Sequence, residues 1–338
     1  MSLRLIAHAL GLSITTVSRA LSDYSDVSEE TRRRVRTEAA RIGYVPNALA
    51  RRLQKGRTDS IALSAWVGDL GSTDTQLYDV ITATSSKLVE LQLDLVLLGS
   101  GLDPAGSDAE RARFERVVCE RCVDGLILVR PRIDDWRIAF LRGRGFPFVI
   151  LGAVSETYED VPVIAPDVRA TAHRTIGRLV ELGHRRIACV TPNLSLQFAA
   201  AHLDAFRRAA AAENVTLEVF EGAPHEEGGV EQTTAALERS EGITAFLYLY
   251  NRMAQGGLAA LWSAGLEPGR DVAVITLGDN RNLPHGRPPM TAVRTPVREM
   301  SRHAVDVLVQ RIASRPIEDH RASWPTELIV RASDCPIG

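Results

Sequence analysis

The run Ser13-Ile14-Thr15-Thr16-Val17-Ser18-Arg19 crowds four hydroxyls, an aliphatic tip and one guanidinium into about two helical turns. This mixture forms and breaks no bonds, but it suits the reading of base edges. A guanidinium pairs with O6 and N7 of guanine, and an isoleucine or threonine methyl meets the methyl of thymine. A second polar group, Arg130, Asp135 and Arg137, sits in "VRPRIDDWR" after an apolar run. Two guanidiniums and a carboxylate can surround vicinal hydroxyls, or they can close a salt-bridged turn. Elsewhere the chemistry is thin. The eight histidines show no metal-binding spacing, "GSGLDPAG" lacks the phosphate-loop lysine, and there is no nucleophile elbow. Cys119 and Cys122 end a predicted helix instead of opening one and have no second pair, so they read as structural thiols. Neither catalysis nor a cofactor is expected, and no metal site.

The elements that position the first group are short. Leu3 to Leu10 predicts a helix with Leu3, Ile6, Ala7 and Leu10 on one face, and Gly11 supplies a turn. Ser13 is a good N-cap for the next helix. There Val17, Ala20 and Leu21 fall inward, while Thr15 and Arg19, with Ser18 beside them, fall outward and Ile14 marks the tip. Two helices around a glycine turn make a helix-turn-helix, whose second helix enters the major groove. A third helix begins at Ser28 with Glu29 and Glu30 in its first turn, buries Val35, Ala39 and Ile42, and stops at Gly43. Its arginines 32, 33, 34 and 36 either reach phosphates or form a solvated face. Asn47 to Gln54 follows Pro46 and offers Ala50 and Leu53 as apolar residues beside Arg51 and Arg52. A helix of two turns is marginal in water. It is read either as a segment that folds on DNA with Leu53 wedged into the minor groove, or as a plain linker.

Charge supports the division. Residues 1–58 hold eleven Arg and Lys against five Asp and Glu, a balance of +6, while the whole chain of 338 residues is at −2. A basic head on an acidic body points the head at a polyanion. Four cysteines, no apolar run of membrane-spanning length and no signal-like start predict a cytoplasmic protein.

The body alternates apolar runs with helical patterns. "SIALSAWV", "LDLVLLGS", "VDGLILVR" and "FPFVILG" read as strands, with helices at 77–91, 107–121 and 134–143. A second cycle, "RRIACVTP", "TLEVFEG", "TAFLYLY" and "DVAVITLG", carries helices near 168–182, 197–213, 229–239, 252–264 and 297–313. Such alternation predicts two lobes of parallel sheet covered by helices, with a ligand cleft at the strand carboxyl ends.

"LSITTVSRAL", "VSEETRRRV", "IGYVPNALARRL" and "GRTDSIAL" resemble the N-terminal module of the lac repressor family of bacterial transcription regulators. "ELGHRRIACV", "MAQGGLAAL", "PPMTAVRTPVREM" and "TELIVRAS" extend the resemblance through the body. It implies an all-α helix-turn-helix DNA-binding domain joined to an α/β two-lobed effector domain like type I periplasmic binding proteins. It further implies a homodimer on a pseudo-palindromic DNA operator, associated with the nucleoid. The expected boundaries are 1–45 for the head, 46–58 for the hinge and 59–338 for the effector domain. Within that domain a first lobe of about 59–151 plus 280–300 and a second of about 152–279 plus 301–330 are expected.

The family's DNA-reading positions map to Ile14, Thr15 and Arg19, and its hinge leucine to Leu53. Ser13, Thr16, Ser18, Asn47, Ala50 and Arg51 complete the expected DNA-binding set. Leu5 departs from the family, which commonly has aspartate there. The family's effector positions are altered too. His202 stands for an arginine, Tyr250 and Asn251 for an Asn-Asp pair, Gly278 and Asp279 for an aspartate pair, and Gln76 and Leu77 for paired aromatics. With Arg130, Asp135, Arg137 and a stacking Phe198, these form the expected effector site, and a carbohydrate is the expected effector. A nucleobase effector and a transporter's solute-binding protein are the alternatives.

Overall fold

The computed structural model describes residues 3–21, 24, 26–44, 57–66, 75–100, 107–155, 158, 160–315 and 321–337. The chain divides into two units, Met1–Asp59 and Ser60–Gly338.

In the first unit, α1 (Leu3–Leu10), α2 (Ile14–Leu21) and α3 (Glu29–Arg41) enclose one small core of Ile6, Ala7, Val17, Ala20, Val27, Val35 and Ala39. Gly11 makes the turn between α1 and α2 at φ +64°, a left-handed value that glycine adopts without penalty. Ser13 caps α2, its hydroxyl accepting from the Thr16 amide at 3.0 Å. Ser28 does the same for α3, accepting from the Thr31 amide.

In the second unit, β1 (Ser60–Trp66), α4 (Thr75–Glu90), β2 (Asp94–Ser100), α5 (Asp108–Cys119), β3 (Gly125–Val129), α6 (Trp136–Gly143), β4 (Phe148–Leu151) and β5 (Val163–Pro166) build the first lobe. The second lobe is α7 (Val168–Glu181), β6 (Arg186–Pro192), α8 (Gln197–Ala212), β7 (Thr216–Gly222), α9 (Glu226–Arg239), β8 (Ala245–Tyr248), α10 (Asn251–Ser263), β9 (Ala273–Leu277) and β10 (Thr291–Arg294). The chain then returns through α11 (Val297–Ile312) and β11 (Arg321–Trp324) before β12 (Glu327–Ile329).

The first sheet runs β11-β5-β4-β3-β1-β2, and the pairs along it are parallel. The second runs β12-β10-β9-β8-β6-β7 and is parallel except for β12, which is antiparallel to β10 at the edge. Each sheet is covered on both faces. Ile61, Leu63 and Ala65 pack with Met300, Ala304 and Leu308 of α11, whereas Ala62 turns to the opposite face with Phe114 and Phe148. This alternation explains why the strands read as unbroken apolar runs. In the second lobe α9 and α10 touch backbone to backbone. A Cβ at Gly256 would lie 1.8 Å from the Glu226 carbonyl oxygen, so only glycine fits there.

The structure corrects the expected lobe boundaries. The first lobe continues to Pro166, because β5 pairs with both β4 and β11. Residues 291–294 belong to the second lobe, where β10 pairs with β9. Helix α11 belongs to the first lobe, because its apolar face covers β3 and β4. The chain therefore crosses between lobes near Asp167, Thr295-Pro296 and Pro325-Thr326. The first and third crossings are bonded to one another, with the Asp167 amide donating to Trp324 O at 2.8 Å and the Thr171 and Thr326 hydroxyls 2.7 Å apart. Beyond β12 the tail is sewn to the second lobe. Asp334, its side chain fully buried, accepts from Arg178 at 2.7 Å, and His184 Nε2 lies 2.8 Å from Cys335 O.

Candidate DNA-reading helix and effector cleft

On α2 the surface-facing side chains are the ones that the spacing singled out. Ser13, Ile14, Thr15 and Arg19 are exposed, Thr16 and Ser18 are half-buried, and Val17 and Ala20 are buried. Ile14 at the helix tip is 45% exposed, which for an isoleucine is apolar surface placed where a partner can cover it. Ser13 and Thr16 also share a hydroxyl contact of 2.8 Å, so both shape the helix start. Arg19 is held at its outer end. Its Nη2 lies 2.6 Å from Asp26 and its Cζ sits 5.0 Å from the Tyr24 ring centroid. Reading a guanine requires the guanidinium to exchange or share that carboxylate. Arg32 has a different job from its neighbours. It is half-buried and donates to Val27 O at 3.0 Å, bracing the loop before α3, while Arg33, Arg34 and Arg36 are exposed. Asn47, Ala50, Arg51 and Leu53 lie outside the described residues.

In the effector domain the carboxyl ends of β3, β4, β5, β8 and β9 converge on a cleft between the lobes. A cavity of about 100 Å³ there is walled by Gln76, Arg130, Phe198, His202, Tyr250 and Thr295, with apolar residues from both lobes behind them. The Phe198 and Tyr250 ring centroids are 6.2 Å apart, and Arg130 Cζ lies 5.5 Å from the Tyr250 centroid across the cleft. Arg130 holds φ +53°, a left-handed value that is rare for a non-glycine residue and frequent at ligand sites. His202 Nδ1 is 2.7 Å from Phe198 O, and burial pushes its imidazole pKa down, so the ring is neutral at pH 7. The cavity is smaller than the ~300–1,000 Å³ of typical ligand pockets.

The lip of this cleft is stitched. The loop after β3 and the loop before α8 form an antiparallel bridge at Arg132 and Leu196. Ile133 N donates to Ser195 O at 2.8 Å and Gln197 N to Pro131 O at 3.1 Å. The fully buried Gln197 side chain donates to Arg132 O at 2.9 Å and to the Tyr158 hydroxyl at 2.5 Å. Gln197 and Tyr158 went unnoticed in the sequence, where a glutamine opening a helix carries no signal that it faces another lobe.

Several expected effector residues lie elsewhere. Asp135 and Arg137 are not on the cavity wall. They form a buried bidentate pair, with Nε and Nη2 at 2.9 and 2.6 Å from the carboxylate oxygens. Burial raises the Asp135 pKa, but the Arg137 guanidinium and the amides of Arg132 and Arg137 outweigh it and hold the carboxyl below its ordinary range. Arg137 also donates to the Ser64 hydroxyl at 3.2 Å. The pair therefore ties β1 to the loop that carries Arg130 into the cleft. Asn251 is likewise turned inward, donating to Gly278 O at 3.0 Å. Asp279 faces a larger groove of about 1020 Å³ beside the crossings. There it pairs with Arg294 and Arg331, each at 2.9 Å. Gln76, Gly278, Thr295 and Val297 border both spaces. Cys119 and Cys122 are free and exposed at the end of α5. No described helix is long and apolar enough to cross a membrane.

Residues 2–47 match the model of bacterial regulatory proteins of the lacI family, and residues 176–333 match a periplasmic binding protein-like domain. The chain is 31% identical to the HTH-type transcriptional regulator AglR of Rhizobium meliloti (strain 1021), over 99% of this chain and 94% of that protein. The chain belongs to the lacI family of bacterial regulatory proteins. It is a DNA-binding transcriptional regulator. Among solved structures, a complex of the transcriptional regulator CelR with cellobiose is 28% identical with a TM-score of 0.76, covering 98% of this chain and 99% of that one. The lac repressor dimer bound to operator and the anti-inducer ONPF shares the fold at a TM-score of 0.85 and 24% identity, covering 99% of each chain.

Proposed function

We propose that this lacI-family regulator is a homodimeric repressor whose grip on a pseudo-palindromic operator is set by a carbohydrate bound between its lobes. Ser13, Ile14, Thr15, Thr16, Ser18 and Arg19 read or border the major groove. Asn47, Ala50, Arg51 and Leu53 form the hinge, with Leu53 entering the minor groove at the dyad. In the effector domain, Gln76, Arg130, Phe198, His202 and Tyr250 contact the ligand. Asp135, Arg137, Asn251 and Asp279, first expected as contacts, take the role of supports. The protein works in the cytoplasm on the nucleoid.

One observation carries the effector reading. Strand ends of both lobes converge on a cleft that combines two aromatic rings with hydrogen-bonding side chains, the composition that sugars need for stacking and for their hydroxyls. The resemblance to CelR, solved with cellobiose, points the same way. Control follows from linkage. The described state is closed at the lip, and a ligand shifts the equilibrium between closed and parted lobes only by its differential affinity for them.

The test is a thermal-shift screen of the full chain with mono- and disaccharides and with purine bases, followed by operator binding with each hit. A sugar that raises the melting temperature by mass action and changes operator affinity is the expected result. A purine hit with no sugar hit would replace the carbohydrate reading. Leu53→Ala should weaken operator binding and leave ligand binding unchanged, and an unaltered operator affinity would remove the hinge assignment.

A further inference from the structure

We infer that His202 is a specificity-determining residue that accepts, through Nε2, a hydrogen bond from one hydroxyl of the ligand. The inference rests on the carbohydrate reading above and adds the polarity of one contact.

The geometry fixes the tautomer. Nδ1 lies 2.7 Å from the Phe198 carbonyl oxygen, one helical turn back on α8. A carbonyl oxygen only accepts, so Nδ1 carries the hydrogen and donates it. A neutral imidazole with its hydrogen on Nδ1 presents a lone pair at Nε2. The neutral form is the relevant one, because burial pushes this pKa down by more than the hydrogen bond to the Phe198 carbonyl raises it. No described residue hydrogen-bonds Nε2, and the ring forms part of the cavity wall.

The rest of the wall makes this acceptor distinctive. Arg130 can only donate. Gln76, Tyr250 and Thr295 can donate or accept as their amide or hydroxyl turns. No Asp or Glu lines the cavity among the described residues, which leaves His202 as the one nitrogen or oxygen side chain there that only accepts. Its ring is also held in place by the Nδ1 bond, so it cannot reverse its polarity by rotating. A ligand group that meets Nε2 must therefore donate. One that cannot leaves a desolvated lone pair unmatched, a loss of about tenfold or more in affinity.

The test uses the full chain with methyl α-D-glucopyranoside and methyl α-D-galactopyranoside, plus the monodeoxy and monodeoxyfluoro analogues of each, by calorimetric titration. Fluorine cannot donate a hydrogen bond. The expected result is one ring position at which the deoxy and deoxyfluoro analogues both bind about tenfold more weakly than the parent. In His202→Phe that penalty should disappear, and in His202→Gln, whose amide oxygen can accept, it should return in part. The inference is overturned if no position penalises both analogues, or if the penalty persists undiminished in His202→Phe. The wild-type analogue pair alone decides the polarity should His202→Phe fail to fold. If neither methyl glycoside binds, the disaccharide that the screen selects and its monodeoxy and monodeoxyfluoro analogues take their place; if no mono- or disaccharide binds the wild-type chain, the carbohydrate reading falls and this inference falls with it. Sugar binding without a His202-dependent penalty removes this inference alone.

Discussion

The DNA-reading helix and the effector cleft are assembled in opposite ways. Every group proposed to face the major groove comes from the seven residues 13–19, and a core of a dozen or so side chains from three helices and the residues flanking them holds them. The cleft takes its wall from α4, the ends of five strands, α8 and the crossing before α11, spread from Gln76 to Met300. A local site depends on capping and one helix face. A dispersed site depends on whatever fixes the distance between its parts, which here is the buried Asp135–Arg137 pair and the stitched lip. Substitutions should therefore separate the two regions cleanly.

The largest effect is expected from Asp135→Ala. It leaves the Arg137 guanidinium buried without its bidentate partner, a change that typically costs about 3–5 kcal/mol. Chemical denaturation should show that loss in the effector domain, and ligand binding should fall because the loop bearing Arg130 loses its anchor. A loss below about 1 kcal/mol would mean the pair is incidental and that the cleft is held by other contacts.

Arg19→Ala comes next and addresses the head alone. A bidentate arginine–guanine contact contributes about 1–3 kcal/mol of discrimination, so operator affinity should fall roughly tenfold to a hundredfold. Affinity for non-operator duplex should change far less. Gel-shift titration on both duplexes checks this, and equal losses on the two would reassign Arg19 to phosphate contact. Arg19 already pairs with Asp26, so Asp26→Asn should release the guanidinium and change operator affinity without touching the cleft.

These two residues also show what could be read in advance. The head was legible because its signals are local. A glycine turn, two serine caps and an i, i+3, i+4 apolar pattern each act within one or two helical turns, and α1 and α2 lie where these signals put them. The strands of the body were legible as apolar runs. The crossings were not. β5 contains a proline, β10 to β12 span three or four residues each, and sequences that short carry no periodicity to separate strand from loop. The cleft suffered in the same way. Asp135 and Arg137 carry the residue types of a sugar site, and only burial distinguishes a pair that binds a ligand from one that braces a loop. Tyr250 and Phe198 were visible as residues, but the approach of Tyr250 to Arg130 depends on how two separate sheets meet.

Gln197→Ala probes the lip. It removes two donated hydrogen bonds from a fully buried side chain, one to the other lobe's Arg132 carbonyl and one to Tyr158. Leaving those acceptors unmatched costs about 1–3 kcal/mol in the closed state. Parted lobes should become more populated, seen as a larger radius of gyration by small-angle scattering and faster ligand association. Unchanged scattering and association rates would show that the lip does not govern closure. Acid should act on the same lobe. Burial lowers the pKa of both His184 and His202, so each resists protonation in the folded chain and accepts it in the unfolded one. Their contribution is fully present above the ordinary histidine value of 6.5 and is lost as pH falls below it. Melting temperature of the effector domain should accordingly drop between neutral pH and pH 5.

The smallest effect returns to the head. Ser13→Ala removes the hydroxyl that accepts from the Thr16 amide and contacts the Thr16 hydroxyl. Losing such an N-cap costs about 1 kcal/mol, and no other described residue of the head caps the start of α2. Hydrogen exchange in the first turn of that helix should speed up by about fivefold, which is what 1 kcal/mol gives at room temperature. The amides of the effector domain should keep their rates, because the cap acts within one turn. Operator affinity should weaken by a comparable factor, since Ile14, Thr15 and Arg19 are all presented by this one helix. Ser13→Asp keeps a capping acceptor and should restore the exchange rates, yet it places a negative charge where a phosphate would lie. If operator affinity returned together with the exchange rates in Ser13→Asp, the tip of α2 would not face the DNA backbone, and the placement of the whole reading face would have to change.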